Sequence, residues 1–368
     1  MKIMYVHSSG NNIAGSEIVL LKMIDHARSK YDVEVMLPET GIFNERLKEN
    51  GITAHIVPVK TFSKTNPIPY LKGLYYCLRT ILNLKPDVIH MSSASPMQYV
   101  WPVAKLFKIP VVNHIQCPYD KDDLRRYFPH KADRVIVISE MIRNIFSSKT
   151  QNKIVRIYNG INIPQIDRNA ARRELLRLTS SAPKTRMIGM VGQVIPRKGI
   201  DVFLRAAAQV IAQVKHPVGL VIAGNPNTEY GRECHRLSQN LGISDQVHWI
   251  GFQKDAQAIM AGMDVLIVPS RSEGFGLVAA EALAVGTPVI ASNTGGLPEI
   301  VENSENGFLI PVDDVDMLAE RIRFFIDHPL MVSVMGHQGI LKIQNSFSYK
   351  AQYSGLDDVY ASLISANI

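Results

Sequence analysis

The sequence predicts an α/β protein made of two doubly wound parallel-sheet domains. Short runs of almost continuously apolar residues alternate with longer amphipathic segments, and this alternation restarts near the middle of the chain. Continuous apolar strands separated by helical segments are typical of parallel sheets that helices cover on both faces. The length of 368 residues also favours two domains, because one domain takes roughly 100 to 200 residues.

The candidate strands succeed one another with room for a helix between most of them. The first half contains KIMYV (2–6), VEVML (33–37), ITAHIVPV (52–59), DVIHM (87–91), PVVNHI (110–115), RVIVIS (134–139) and KIVRIYNG (153–160). The second half contains RMIGMVG (186–192), VGLVIAG (218–224), QVHWIGF (246–252), DVLIVPS (264–270), TPVIAS (287–292) and GFLIPV (307–312). Helical spacing predicts helices over Leu318–Asp327 and Tyr349–Ile364. The first strand pattern ends at Gly160, a residue suited to a hinge, and we place the domain boundary there.

The charge is distributed unevenly between the two halves. Residues 1–160 carry 22 Lys and Arg against 13 Asp and Glu, whereas residues 161–368 carry 18 against 20. A basic half indicates an anionic partner. Nucleic acid is disfavoured as that partner, because neither interleaved aromatic residues nor a known nucleic-acid-binding module accompanies the charge.

The composition argues against several classes of protein. No apolar run approaches the ~20 residues of a transmembrane helix, and the stretch Ile3–Val6 is too short for the core of a signal peptide. Cys77, Cys117 and Cys234 are widely spaced, so neither a disulfide framework nor a zinc site is expected. The expected location is therefore a reducing cytoplasm.

The strongest candidate for a ligand site is the segment 269–290. It has the order strand, glycine loop, helix and strand, and ligands of open parallel sheets bind where strands lead into helices. Gly274 and Gly276 allow the backbone to approach a ligand, and a helix N-terminus favours phosphate. Glu273 and Glu281 can accept hydrogen bonds from sugar hydroxyls. The alternative is that Glu273 caps the helix and that Glu281 is solvated.

A second candidate site follows the strand RMIGMVG. Arg197 and Lys198 stand together between the end of that strand and the helix that begins near Asp201. Arg197 can grip a phosphate through its planar fork, and Lys198 can do so as a point charge. The alternative is that both are solvated residues of a turn.

A third candidate site follows the first strand. The segment 7–17 contains Gly10 and Gly15 and resembles a glycine-rich phosphate loop, although it matches neither G-x-G-x-x-G nor the P-loop pattern. By itself it is weak evidence, and it gains weight only from the two other sites.

Together, these motifs resemble the retaining glycosyltransferases of family 4, which have the two-domain GT-B architecture. The family's E-x7-E signature is matched by Glu273 and Glu281 within EGFGLVAAEALAVGTPVIA, and GGLPE (295–299) with NGFL (306–309) continues the match. The segments AGSE (14–17), VISE (137–140) and NGIN (159–162) are similar to landmarks of the family in the first half. The resemblance covers nearly the whole chain.

The resemblance implies an N-terminal, acceptor-binding Rossmann-like domain of residues 1–160 plus 346–368 and a C-terminal, donor-binding Rossmann-like domain of residues 161–345. It implies transfer of a sugar from a UDP- or GDP-sugar to a glycan, lipid-linked or small-molecule acceptor, with retention of the anomeric configuration. It favours a same-face reaction through an ion-pair-like state, in which the acceptor attacks from the side that the leaving group departs, over a covalent glycosyl-enzyme. It implies neither a metal ion nor another cofactor. Cell-envelope polysaccharide or glycolipid synthesis is the expected setting.

The resemblance also assigns roles to residues of the second half. Lys198, assisted by Arg197, would neutralise the donor diphosphate, while Glu281 would hold ribose hydroxyls and Glu273 would hold sugar hydroxyls. Many relatives have an arginine where this sequence has Gln193, and whether the neighbouring Arg197 compensates for it stays open at this point. Backbone groups would line the sugar and phosphate at Gly274, Phe275, Gly276 and Leu277.

Other roles fall on loops of both halves. Gly15 and Ser16 would close over the phosphate, and His114 would lie near the transferred sugar. The alternative for His114 is a structural histidine at a strand end. Selection of the base is expected near Gly224 and Phe252, which end two strands of the second half.

Two features leave alternatives open. Asp120-Lys121-Asp122 fits the D-x-D pattern of metal-dependent glycosyltransferases of another fold, but its charge-mixed surroundings favour a solvated loop. The basic half fits either an anionic membrane surface or ordinary surface charge. The same choice applies to an amphipathic helix over Tyr70–Leu84, whose apolar face is predicted to hold Leu71, Leu74, Leu78 and Ile81.

Three other functions also stay open at this point. A sugar-nucleotide epimerase shares the GT-B architecture, and so does a glycogen-type phosphorylase, which would be marked by a pyridoxal phosphate lysine. A non-catalytic relative that binds sugar nucleotides or carbohydrates is the remaining alternative.

Overall fold

The structure is a computed structural model that describes residues 1–11, 13, 15–63 and 65–365. Contacts within the chain divide it into two units, Met1–Gly160 with Lys350–Ile368 and Ile161–Tyr349. The division falls after Gly160. The chain returns to the first unit at Lys350, four residues later than the predicted return at residue 346.

The first unit contains one parallel sheet with helices between its strands. Its strands are β1 (Lys2–Val6), β2 (Asp32–Leu37), β3 (Ala54–Ile56), β4 (Val88–Met91), β5 (Val111–Ile115), β6 (Arg134–Val137) and β7 (Ile154–Arg156). Its helices are α1 (Gly15–Arg28), α2 (Ile42–Glu49), α3 (Ile68–Leu84), α4 (Met97–Leu106), α5 (Lys121–Tyr127) and α6 (Glu140–Asn144). The strand order is β3-β2-β1-β4-β5-β6-β7. The order reverses between β1 and β4, which makes the carboxyl ends of these two strands the topological switch point.

The second unit repeats this plan. Its helices are α7 (Arg168–Leu178), α8 (Ile200–Ile211), α9 (Glu229–Asn240), α10 (Ala256–Ala261), α11 (Leu277–Ala284), α12 (Leu297–Ile300), α13 (Val315–Asp327) and α14 (Pro329–Ser346). Its strands are β8 (Arg186–Val191), β9 (Val218–Ala223), β10 (Val247–Trp249), β11 (Val265–Val268), β12 (Val289–Ser292) and β13 (Gly307–Ile310). Their order is β10-β9-β8-β11-β12-β13, with the switch point between β8 and β11. The last helix, α15 (Tyr349–Ser365), leads back to the first unit.

The predicted fold class is confirmed, and each predicted strand is present. Most inner strands of each sheet are almost wholly buried because helices cover both faces, as their continuous apolar runs predicted, whereas the edge strands β3, β7 and β10 are only partly buried. Several helices begin at a side chain that accepts a hydrogen bond from a backbone N–H of the first turn. These capping residues are Asp120, Ser139, Asp167, Thr228, Asp255 and Asp314.

Helix α3 buries part of its predicted apolar face. Ile81 is buried and Leu74 and Leu78 are half-buried, as predicted, whereas Leu71 is 56% exposed. A Cβ atom on Gly73 would collide with Val59, so the helix makes its closest approach at a glycine, which shifts the buried face away from Leu71. The part of the chain that the structure describes has no helix with the length and apolarity needed to cross a bilayer.

Candidate active site

The switch point of the second unit carries the predicted donor residues. A shallow pocket opens there at the ends of β8, β9 and β11, and its lining includes Gly192, Gln193, Lys198, Ala223 and Ser270. Residues of the second and strongest candidate sites thus meet at one edge of the sheet, as the rule for open parallel sheets requires.

Lys198 and Glu273 form an ion pair at this edge. Lys198 ends a short 3-10 turn after β8, and its Nζ lies 2.6 Å from Oε2 of Glu273, in the loop before α11. The side chains are only 15% and 14% exposed, and Ser270 donates a weaker hydrogen bond, at 3.5 Å, to the same carboxylate oxygen. The family resemblance implies that the two charges hold different parts of a donor, whereas the structure places them in direct contact.

Arg197 lies at the exposed side of the ion pair. Its guanidinium donates to the backbone oxygen of Ser272 at 2.8 Å and is 3.9 Å from the Glu273 carboxylate. Arg197 therefore adds positive charge to the loop that carries Glu273. Gln193 lines the pocket, so the residue that departs from the family pattern faces the same space as Lys198.

Arg271, which sequence reasoning missed, joins the two loops. Its guanidinium donates to both carboxylate oxygens of Asp201 at 3.1 and 2.8 Å and to the backbone oxygen of Pro196 at 2.6 Å. Tyr230 donates to Asp201 as well. Burial alone would raise the pKa of Asp201, but the hydrogen bonds from Arg271 and Tyr230 lower it. The resulting ionised carboxylate holds the loop of Lys198 against the loop of Glu273.

Two glycines permit these loops to approach each other. Gly199 has φ +70°, and a Cβ atom there would collide with the backbone oxygen of Pro269. Gly295 has φ +62°, and a Cβ atom there would collide with the backbone oxygen of Glu273. Both positions combine a left-handed backbone with a close contact, so they accept only glycine without strain.

Helix α11 presents its N-terminus next to this site. Gly276 precedes the helix with φ +106°, and no side chain caps the first turn. Gly274 is buried beside it. The Phe275 side chain is also buried and packs edge-on against Phe347, with ring centroids 5.7 Å apart. The Phe275 side chain is therefore turned away from a ligand at this loop, and the half-buried Leu277 follows.

Glu281 lies one turn further along α11. It is half-buried and has no hydrogen-bond or ion-pair partner among the residues that the structure describes. Burial raises the pKa of its carboxyl to about 7. Burial raises the pKa of the Tyr349 hydroxyl, and the nearby charge of Glu281 raises it further. A carboxylate with this environment gains stability from any ligand that donates hydrogen bonds to it.

The two residues predicted near the base differ in their surroundings. Phe252 is 83% exposed, so its ring is free to stack on a planar ligand. Gly224 follows β9, and a Cβ atom there would collide with the backbone oxygen of Gly192. Gly224 thus shapes the edge of the pocket through close backbone packing.

Gly15, Ser16 and His114 belong to the first unit. Gly15 and Ser16 begin α1, while Ala14 of the same motif is outside the described residues. The Ser16 hydroxyl donates to Glu17 at 2.9 Å. Glu17 is buried beside Nε2 of His7 at 3.0 Å, and Nδ1 of His7 lies 2.6 Å from the Ser92 hydroxyl. These hydrogen bonds, which sequence reasoning missed, anchor the start of α1 at the switch point of the first unit.

His114 lies in β5 and is fully buried. Burial lowers its pKa to about 3, so the imidazole is neutral at physiological pH. Its Nδ1 lies 3.3 Å from Nε2 of His90. Burial, followed by the neighbouring His114, also lowers the pKa of His90 well below its usual value.

The D-x-D segment has a structural role. Asp120 caps α5 by accepting a hydrogen bond from the backbone N–H of Asp123 at 2.7 Å. Asp122 lies 3.7 Å from Arg125 on the same exposed helix. Within the described ranges, no three His, Cys, Asp or Glu side chains gather in a group that would hold a metal ion.

These two Rossmann-like parallel sheets define the protein as a member of the GT-B class. The family model described as "Glycosyl transferases group 1" matches residues 172–342, and the model described as "Glycosyltransferase Family 4" matches residues 13–165. The chain belongs to the family 4 glycosyltransferases, as its motifs predicted, and is a glycosyltransferase.

Known proteins of this kind resemble the chain over much of its length. An uncharacterized glycosyltransferase of Methanocaldococcus jannaschii is 28% identical over 346 residues, which cover 90% of this chain and 91% of that protein. A D-inositol 3-phosphate glycosyltransferase of Streptomyces avermitilis is 30% identical over 64% of this chain, and the match spans only 53% of that protein.

Solved structures share the fold at lower identity. Anabaena HepE, in complex with UDP and glucose, superimposes with a TM-score of 0.86 at 22% identity, covering 98% of this chain and 100% of that one. A glycosyltransferase from Rickettsia africae superimposes with a TM-score of 0.88 at 17% identity, covering 99% of this chain and 98% of that one.

Proposed function

We propose that this glycosyltransferase moves a hexose from a UDP- or GDP-sugar to a glycan, lipid-linked or small-molecule acceptor. The transfer retains the anomeric configuration and needs no metal ion. The observation that carries the proposal is the Lys198–Glu273 ion pair at the switch point of the second unit. Two similar proteins add support. The HepE structures contain UDP or UDP-glucose, and a Rhizobium leguminosarum relative at 28% identity is a lipopolysaccharide core mannosyltransferase. Envelope polysaccharide or glycolipid synthesis is the setting that we propose.

The ion pair suits a ligand that contains both phosphate and sugar. A diphosphate that binds Lys198 replaces the Glu273 carboxylate as the partner of the ammonium group. Glu273 then accepts hydrogen bonds from sugar hydroxyls, which a carboxylate does well because it has no proton to donate. Neither charge is left buried without a partner at any stage, and this lowers the cost of exchanging one partner for the other.

The nucleoside would lie further along the same edge. Glu281 accepts hydrogen bonds from the two ribose hydroxyls, which stabilise its ionised form against the effect of burial. The exposed ring of Phe252 stacks on the base. Backbone groups of residues 274–277 and the uncapped start of α11 face the phosphates, where a helix N-terminus favours negative charge.

The chemistry requires stabilisation of the leaving nucleoside diphosphate. Lys198, with Arg197 beside it, and the α11 N-terminus supply fixed positive potential where that charge develops. Among residues of the first unit, we propose Gly15 and Ser16 as contacts of the donor phosphate and His114 as a contact of the transferred sugar. The acceptor hydroxyl attacks from the face that the diphosphate leaves, and its proton passes to the departing diphosphate oxygen. The new bond therefore keeps the original anomeric configuration.

A turnover assay tests this function. The protein is incubated with UDP- and GDP-sugars and candidate acceptors, released nucleoside diphosphate is quantified, and the anomeric configuration of the product is determined by NMR. We expect release that persists in the presence of EDTA and a retained configuration. An inverted product, a trapped covalent glycosyl-enzyme or strict metal dependence would contradict the mechanism. Interconversion of the sugar without release would identify an epimerase, and binding without turnover a non-catalytic relative.

We also propose that the first unit docks on an anionic membrane surface through α3. Exposed apolar and aromatic residues follow one another along this helix, namely Ile68, Leu71, Tyr75, Tyr76 and Leu82. The charged residues of α3 are Lys72 and Arg79, and the helix contains no Asp or Glu. An apolar helix face flanked only by cations is complementary to a bilayer with anionic lipids, which attracts each cation by about 1 kcal/mol.

Liposome sedimentation tests the docking surface. We expect the wild-type protein to sediment with vesicles that contain phosphatidylglycerol and to stay in the supernatant with vesicles of phosphatidylcholine alone. The double substitution Leu71→Asp and Tyr75→Asp should abolish sedimentation. The matched control is the double substitution Leu330→Asp and Val334→Asp, which places the same two charges on apolar residues of α14 that are 80% and 52% exposed. Equal sedimentation of the α3 variant and the control would refute the assignment of α3.

A further inference from the structure

A continuous chain of hydrogen bonds runs through the interior of the first unit and ends at His114. The hydroxyl of Tyr5 lies 2.9 Å from that of Tyr360, which lies 2.7 Å from Nδ1 of His90. Nε2 of His90 lies 3.3 Å from Nδ1 of His114. These residues belong to β1, α15, β4 and β5, and none is more than 1% exposed.

The two ends of the chain differ. Within the described residues, the Tyr5 hydroxyl has Tyr360 as its hydrogen-bond partner and no other. Nε2 of His114 is buried and has no hydrogen-bond partner there. Buried polar atoms without partners are rare in proteins, so Nε2 of His114 is the end of these hydrogen bonds that still has capacity for a further partner.

If all the hydrogen bonds of this series are donated from Tyr5 towards His114, every donor hydrogen but one has an acceptor. A hydroxyl has one hydrogen to donate, and a neutral imidazole has one N–H and one accepting nitrogen. If Tyr5 donates to Tyr360 and Tyr360 donates to Nδ1 of His90, then His90 donates from Nε2 to Nδ1 of His114. The remaining proton of His114 is then on Nε2, and it alone lacks an acceptor.

The opposite direction leaves more groups unsatisfied. If His114 donates from Nδ1, His90 must donate to Tyr360 and Tyr360 to Tyr5. The hydrogen of the Tyr5 hydroxyl then has no acceptor in the interior, and Nε2 of His114 becomes an accepting atom without a donor. A buried group without a partner loses its hydration without compensation, so the first direction is the stable one.

We propose that Tyr360 and His90 are positioning residues that hold the proton of His114 on Nε2. His114 then meets the substrate as a neutral hydrogen-bond donor to a sugar oxygen. It does not act as a base, because the lone pair on Nδ1 is already engaged by His90. The proposal rests on the proposed function, which places His114 near the transferred sugar. It gives the returning helix α15 a role in the reaction through Tyr360.

NMR of protein labelled with ¹⁵N-histidine tests the tautomer without any turnover. Long-range ¹H–¹⁵N correlations distinguish a protonated imidazole nitrogen from an unprotonated one. We expect Nε2 of His114 to be protonated in the wild type. Tyr360→Phe removes the donor to His90 and should give a mixture of tautomers, whereas Tyr5→Phe leaves that donor in place and should preserve the tautomer. A wild-type His114 with its proton on Nδ1 would overturn the proposal.

Kinetics then tests the role in catalysis. Tyr360→Phe should lower kcat about tenfold, the effect of losing one neutral hydrogen bond, with little change in KM for the donor. The control is Tyr99→Phe, which removes a buried hydroxyl of α4 that takes no part in the hydrogen bonds from Tyr5 to His114. It should leave kcat unchanged. A Tyr360→Phe protein with mixed tautomers and wild-type kcat would refute the positioning role. Absence of turnover in the wild type, with the expected tautomer present, would instead refute the proposed function.

Discussion

Lys198 and Glu273 can both be charged and largely buried because each neutralises the other. Each side chain is largely buried, and each would be costly to bury without the other. The pairing explains why the acid of the family signature and this lysine follow the ends of adjacent strands, β11 and β8. It also predicts that removing either charge harms binding of the donor, because the remaining charge loses its partner.

Substitution of the lysine tests its assignment. We expect Lys198→Ala to lower kcat/KM for the nucleotide sugar by about 10²-fold, because the leaving diphosphate loses its main cation. Gln193→Ala is the matched control, since Gln193 lines the same pocket without a charge, and its effect should be much smaller. Steady-state kinetics of both variants gives the comparison. Wild-type kinetics in Lys198→Ala would remove the phosphate assignment.

The pKa of Glu281 predicts a pH dependence of donor binding. Burial raises this pKa to about 7, so the carboxyl is mostly protonated at pH 6 and mostly ionised at pH 8. The ionised form accepts both ribose hydrogen bonds, and affinity for the nucleotide should therefore rise about tenfold between pH 6 and pH 8. Calorimetric titration measures this rise. Glu281→Gln should bind weakly at both values of pH; an unchanged rise in that variant would assign the titration to another group.

At the scale of elements, the loops of the site depend on close packing that only glycine allows. Gly295 supports the loop of Glu273, and Gly199 supports the turn that ends at Lys198. Arg271 then joins the two loops through Asp201. The position of the ion pair is therefore a property of several segments that are distant in sequence.

A pair of glycine substitutions separates this packing from backbone strain. Gly295 and Gly242 have similar angles, φ +62° and +69°, but a Cβ atom collides with Glu273 only at Gly295 and meets open space at Gly242. We expect Gly295→Ala to lower the free energy of unfolding by at least about 1 kcal/mol more than Gly242→Ala. Urea unfolding measures both. Equal losses would show that the close contact with Glu273 contributes nothing.

The comparison of sequence and structure is also clearest at this scale. The strands could be predicted because buried parallel strands are continuously apolar, and the E-x7-E motif identified the loop before α11. Helix α14 was not predicted. The partners of Arg271 and His114 were not predicted either, because Asp201 and His90 lie 70 and 24 residues away in sequence and no local pattern pairs them. Leu71 was placed on the wrong face because the leucines of α3 obscured the packing role of Gly73.

At the scale of the whole molecule, the excess of basic residues lies in the first half, and the donor site needs few cations. The second unit uses Lys198 and Arg197 at one sheet edge. The basic first unit instead carries α3, with its exposed apolar face and its two cations. This distribution supports a division in which the second unit binds the donor and the first unit meets an anionic acceptor or membrane.

The most direct test of the central claim is a thermal-shift titration of the wild-type protein with UDP, GDP and ADP and their sugars. A ligand that binds only the folded protein stabilises it by RT ln(1 + [L]/Kd), which is about 2.7 kcal/mol at a concentration of 100 Kd. We predict that UDP or GDP, with or without its sugar, raises Tm in a concentration-dependent way. No rise with any of these ligands at millimolar concentration would contradict a nucleotide-sugar site at Lys198, Glu273 and Glu281.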